Sequence, residues 1–133
     1  MAALLLVASA GCTSVRSSGN DEAKVVARIL ARTAPSMVAF KDQAAAQRLV
    51  SSLDTSEYFD FGVILDSQKQ VFASYFRPNQ ISEKERLLAK VTKPPSSEQS
   101  EAVIVDQRLA IAIVPMKINQ QTVGYVAIGR KRS

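Results

Sequence analysis

The sequence contains no histidine, so the commonest general base and the commonest metal ligand are both missing. Its single cysteine, Cys12, can form no intrachain disulfide, and zinc sites built from cysteine and histidine are excluded. Tryptophan is absent and aromatic residues make up only 6%, so the core must rest on Val, Ile, Leu and Ala. None of the five glycines builds a phosphate-binding loop. Serines pair at Ser51-Ser52 and Ser96-Ser97 with no histidine or well-placed lysine to activate them. Asp60 and Asp66 flank a strand at i, i+6, which sets them about 20 Å apart along it. That is too far for a carboxylate pair working on one glycosidic bond. Asp106 and Arg108 flank a turn and are expected to make at most a surface ion pair. These gaps predict no catalytic residue, no metal site and no cofactor.

What is present describes one ordinary domain. The chain has 133 residues, 47% hydrophobic and 22% charged, close to globular averages. The formal net charge is +5 and the sequence pI is about 9.6. The basic residues are scattered, with one tight run at Arg130-Lys131-Arg132. No aromatic residues interleave with a basic stripe, so nucleic-acid binding is not expected.

Periodicity divides the chain into elements. Asn20 and Asp21 suit a helix N-cap. Val25, Val26, Ile29, Leu30, Thr33 and Met37 then recur at helical spacing, with Lys24, Arg28 and Arg32 opposite. This predicts a helix from about Asp21 to Ala34, ended or kinked by Pro35. Asp42 can cap a second helix whose stripe is Ala45, Ala46, Leu49, Val50 and Leu53. The period then changes to two. Phe59, Phe61, Val63 and Leu65 alternate along a strand, and Val71 to Arg77 returns as its hairpin partner. Ser82 and Glu85 match a capping box before a short helix, Glu83 to Val91, that buries Leu87, Leu88 and Val91. Thr92 to Ser100 is a polar loop with two prolines, the expected site of mobility or proteolysis. Strands follow at Ala102–Asp106, Leu109–Ile118 and Thr122–Gly129, with Asn119-Gln120-Gln121 as a turn. The near-continuous hydrophobes of Leu109–Ile118 mark a central strand, in which Pro115 needs a bulge or an open edge. Gly124 marks a bulge or close packing. The simplest assembly is a five-stranded antiparallel sheet flanked by helices, an α+β fold.

The first residues, MAALLLVASAGC, resemble a bacterial lipoprotein signal. Their apolar run is too short to span a bilayer, which takes about 20 residues, but suits a signal-peptide core of about 7–15. Ser9-Ala10-Gly11 supplies the small residues before Cys12, although the usual basic start is missing. The resemblance implies cleavage after residue 11, acylation of Cys12 and a polar tether over 12–20, with the domain at 21–130 and a basic tail at 131–133. Attachment to the membrane is then by lipid alone.

Three stretches resemble the PAS-like, Cache-related CHASE-type periplasmic sensor domains that precede HAMP and diguanylate cyclase domains. They are Ala39 to Ala46 followed by Leu49 and Leu53, Val63 through Phe76, and Ile113 through Ile128. The resemblance implies a PAS-like five-stranded antiparallel sheet flanked by N-terminal helices and one short helix. It also implies a sensory role outside the cytoplasm and dimers formed through the N-terminal helix. Family hairpins usually carry a glycine where Lys69 stands and another near Gln120, so Lys69 is expected either to take a positive φ or to sit in a different turn type. PAS-like sheets form a cleft beside the short helix. Tyr75 and Arg77 are candidate ligand or partner contacts there. The chain has no nucleotide-cyclase motif and no output domain, so its expected role is to bind a signalling membrane protein, itself or a small ligand. The alternative is a structural, homo-oligomeric envelope lipoprotein without a signalling role. Cys12→Ser is expected to release the protein from the membrane fraction and change its gel mobility; unchanged fractionation would rule out acylation.

Overall fold

The computed structural model describes residues 18–92 and 101–131. Cys12, the leader, the loop at 93–100 and the last two residues of the basic tail lie outside the described residues. Helix α1 (Ser18–Thr33), α2 (Pro35–Ala39) and α3 (Gln43–Ser51) are followed by a 3-10 turn, Ser52–Thr55. Strands β1 (Phe59–Asp66) and β2 (Val71–Phe76) form the first hairpin. A second 3-10 turn, Pro78–Glu83, leads into α4 (Lys84–Thr92). Strands β3 (Ala102–Asp106), β4 (Leu109–Ile118) and β5 (Gln121–Lys131) complete the chain. The sheet order is β2-β1-β5-β4-β3 and every pair is antiparallel. The α+β, five-stranded antiparallel expectation is borne out. No helix among the described residues is long and apolar enough to cross a membrane.

The sheet separates two cores. One face packs Ile64, Ala73, Ala112, Val114, Met116, Val126 and Ile128 against α1–α3. The other packs Phe61, Val63, Leu65, Ile111, Ile113 and Ala127 against Leu87 and Val91 of α4. β4 is buried on both faces along most of its length, as its run of hydrophobes requires. Pro115 pairs with Tyr125 on β5, but the β3 ladder ends at Ala102↔Ile113, so its missing N–H opposes no β3 residue. Gly124 is a point of close approach. A Cβ there would lie 2.2 Å from the Leu65 carbonyl oxygen and 2.6 Å from Met116 Cε.

Helix α1 begins at Ser18, so Ser18 to Asn20, expected in the tether, are helical. Its buried face also differs from the apolar stripe read from spacing. Ala23, Ala27, Leu30 and Ala31, with Ala34 just beyond, turn to the sheet, while Val25 is 49% and Ile29 55% exposed. Small alanine side chains let the helix sit close to the sheet, and that proximity outweighs the larger transfer energy of burying Val or Ile. The Ser82–Glu85 capping box does not open α4, because Ser82 already lies inside the 3-10 turn.

Asp42 does cap α3, accepting from the Ala45 N–H at 3.1 Å. Glutamines of α3 cover the free edge of β2. Gln47 donates to the Ser74 carbonyl at 2.8 Å and accepts from its N–H at 3.3 Å, and Gln43 donates to the Phe72 carbonyl at 3.1 Å. These bonds occupy backbone groups that would otherwise invite another strand.

The hairpin turns adopt the strained geometry expected of non-glycine residues. Lys69 has φ 62°, and the turn is held by the Asp66 side chain, which accepts from the N–H groups of Gln68 at 2.9 Å and Gln70 at 3.0 Å. Asn119 and Gln120 have φ 50° and 67° in the two-residue turn between β4 and β5, the pattern of a type I′ turn. Gln120→Gly is therefore expected to raise the melting temperature, a gain of about 0.5–1 kcal/mol after glycine's extra unfolded-state entropy is subtracted; an unchanged or lower melting temperature would contradict it.

Candidate ligand-binding site

The site begins with an irregularity in β1. The ladder to β5 runs Phe59↔Arg130 and then Phe61↔Gly129, so Asp60 is an extra residue, a β-bulge. The bulge breaks the alternation read from the sequence. Phe59 packs on the α1–α3 side and Phe61 on the α4 side, although two residues apart they would normally share a face. Asp60 is 0% exposed. Its Oδ2 accepts from Gln80 Nε2 at 3.1 Å, whereas its Oδ1 accepts no hydrogen bond.

Arg77 explains part of this arrangement. Its guanidinium donates through Nε at 3.2 Å and Nη2 at 3.0 Å to the Phe59 carbonyl, and Nη2 also donates to the Ser56 carbonyl. Asp60 Oδ1 lies 3.8 Å from Arg77 Nε, near enough for attraction but outside hydrogen-bond distance. Tyr75 belongs elsewhere. It packs with the α1–α3 core, on the sheet face away from α4. The two residues proposed to border one cleft therefore do not converge, and Arg77 approaches the α4 side only through Asp60.

On that side lies a hollow of about 360 Å³, within the range of small-molecule sites. It is lined by Asp60, Gln80, Arg86, Gln107, Arg108 and Lys131, with Leu109 as its apolar wall. Arg86 is held by carboxylates: Glu83 at 2.9 Å and Asp106, which is buried. Its hydrogen bond to Asp106 raises the guanidinium further above its usual value. Lys90 adds a second cation 3.8 Å from Asp106. The expected pairing of Asp106 with Arg108 is thus corrected. Asp106 turns back to α4, where two cations compensate its burial, and Arg108 has no carboxylate partner among the described residues. The actual partners of Asp106 stand 20 residues back along the chain at Arg86, and at Lys90 further along the same helix, a separation that adjacency in sequence does not reveal.

A second hollow of about 520 Å³ lies beside α1, lined by Arg28, Arg32, Glu101, Pro115 and Lys117 among others, and is more open to solvent. Arg28 and Glu101 pair at 2.6 Å across it, and the Arg28 hydrogen bond holds the Glu101 carboxyl below its usual range. Among the described residues that line this hollow, no buried side-chain polar group lacks a partner.

If Arg77 acts chiefly as the buttress of Asp60 and the strand end, Arg77→Ala will destabilise the fold by about 3 kcal/mol, the scale for removing one partner of a buried charged pair. Thermal or urea unfolding measures this; a stability equal to wild type would reject the buttress role.

No curated protein matches the chain. The CHASE8 family, described as a periplasmic sensor domain, matches residues 15–129, which spans α1 through most of β5 and bears out the resemblance carried by the hairpins. The chain belongs to the CHASE8 family of periplasmic sensor domains.

Proposed function

We propose that this chain is a non-enzymatic sensory and regulatory module of the bacterial envelope that signals through contact with another protein, pairing first with a second copy along α1. Family membership supports the sensory role and the periplasmic setting. The observation that carries the mode of action is the divided surface of α1. Its alanine side is committed to the sheet, while Val25 and Ile29, one turn apart, stand on the outer side half exposed. Arg28 and Arg32 flank them on one edge and Glu22 on the other, so the strip has an apolar middle and charged margins of both signs. Such a pattern suits a helix-to-helix contact with a polar rim. A sequence that needed only to cover the sheet would gain by placing polar residues at both positions.

The membrane attachment in this reading is the acyl group on Cys12, with a lipid anchor and no second signal segment needed. Binding that changes how two copies pack would then alter their fit to a signalling membrane protein.

Size-exclusion chromatography with light scattering is the test. The wild-type domain is expected to be a dimer, and the double variant Val25→Glu, Ile29→Glu a monomer with an unchanged circular dichroism spectrum. A monomeric wild type at high concentration, or a double variant that still dimerises, would reject pairing along α1.

A further inference from the structure

The hollow beneath the 3-10 turn Pro78–Glu83 contains a combination that the packing of the fold does not require. A buried polar atom without a partner costs about 1–3 kcal/mol, and native structures keep few of them. Asp60 Oδ1 accepts no hydrogen bond, although the Arg77 guanidinium stands 3.8 Å from it, and the residue sits at a bulge in the ladder. Nearby are two cations, Arg108 and Lys131, which have no carboxylate partner among the described residues. Arg86, by contrast, is already neutralised by Glu83 and Asp106. The hollow therefore offers one acidic group at its depth and two available cations at its exposed rim.

We infer that this hollow binds a small zwitterion, an amino acid or a close analogue, with its ammonium on Asp60 and its carboxylate on Arg108 and Lys131. Opposite charges lining one small cavity select a ligand carrying both: its ammonium gives Asp60 a charge-assisted bond that Arg77, at 3.8 Å, does not make, and its carboxylate gives Arg108 and Lys131 a partner. Entry needs one movement. Gln80 donates to Asp60 Oδ2 and is carried on a 3-10 turn in which no residue is buried. A turn with so little buried surface opens at low cost. The ligand ammonium replaces the neutral Gln80 amide with a charge-assisted bond, which is the stronger of the two.

The site also has a route to α1. Lys131 follows Arg130, whose Nη2 pairs with Glu22 of α1 at 2.9 Å and whose guanidinium lies 5.0 Å from the Tyr58 ring centroid. A ligand that draws Lys131 into the hollow acts on the strand residue next to the one that holds the start of α1. The inference supplies an input for the sensory role proposed above. It fails separately from that reading, since dimerisation is read by light scattering and this site by ligand titration.

The test is isothermal calorimetry and thermal shift on the whole domain with the twenty common amino acids. Each is compared with its analogue lacking the amine and its analogue lacking the carboxylate. At least one amino acid is expected to bind, with both analogues weaker by about tenfold or more, the scale of one lost charge-assisted bond. Arg108→Ala removes an exposed cation with no carboxylate partner among the described residues, so it is expected to weaken binding by about tenfold while leaving the melting temperature of the free protein unchanged. Asp60→Asn should abolish selectivity for the amine; if that variant does not fold, Gln80→Ala, which uncovers Asp60, should tighten binding instead. Three outcomes would overturn the inference. One is no binding by any amino acid. Another is equal binding of the amine-free acids. The third is an affinity untouched by Arg108→Ala.

Discussion

The bulge at Asp60 is the constraint on which the α4 side of the molecule depends. One extra residue in β1 reverses the facing of Phe59 relative to Phe61, so each phenylalanine joins a different core. The same residue is left with its carboxyl group buried at the strand end. A buried acidic group must be surrounded by donors or by opposite charge. Arg77 and Gln80 answer that demand, and in doing so they fix the path of the chain out of β2. Arg77 also ties the carbonyls of Phe59 and Ser56, so the approach to β1 and the exit from β2 are joined by one guanidinium. Asp60 and Gln80 of this cluster line the hollow, together with Leu109 of β4 and Lys131 of β5.

The opposite face obeys a different rule. Four alanines and Leu30 bring α1 and its exit down onto the sheet, and close approach is what makes a helix of such small residues stable there. Larger apolar residues at Val25 and Ile29 would hold the helix away if they pointed inward. Turned outward, they form the surface on which the proposed pairing rests. The two faces meet at the end of β5, where Arg130 reaches α1 and Lys131 reaches the hollow.

Much of the architecture was legible. Period-two alternation identified the first hairpin and short apolar runs the last three strands, with polar turns between them. The hydrophobic density of Leu109–Ile118 placed β4 in the interior, and the two cores follow from alternation along it. The sequence narrowed Lys69 to a positive φ or a different turn type, and the structure takes the first, with φ 62°. The site was less legible. Tyr75 and Arg77 stand together at a strand end in the sequence, but alternation sends Tyr75 to the α1–α3 layer and Arg77 folds onto backbone carbonyls. In the sequence Asp60 stands out only as half of a distant carboxylate pair. Its importance comes from a single inserted residue, and an acidic residue at a strand start looks the same with or without a bulge.

The sequence by itself determined the element order, the antiparallel sheet, the lack of histidine and disulfide chemistry, and the likeness to periplasmic sensors. The first three follow from local periodicity and residue chemistry, which act over a few positions along the chain, and the likeness from the three stretches that resemble the family. Tertiary structure decided which stripe of α1 is buried, which partners Asp106 takes, and that Asp60 and Gln80 share a hollow with Arg108 and Lys131. Those outcomes depend on distances between segments far apart in sequence. They are settled by how closely helices approach the sheet and by where one extra residue shifts the register of a strand.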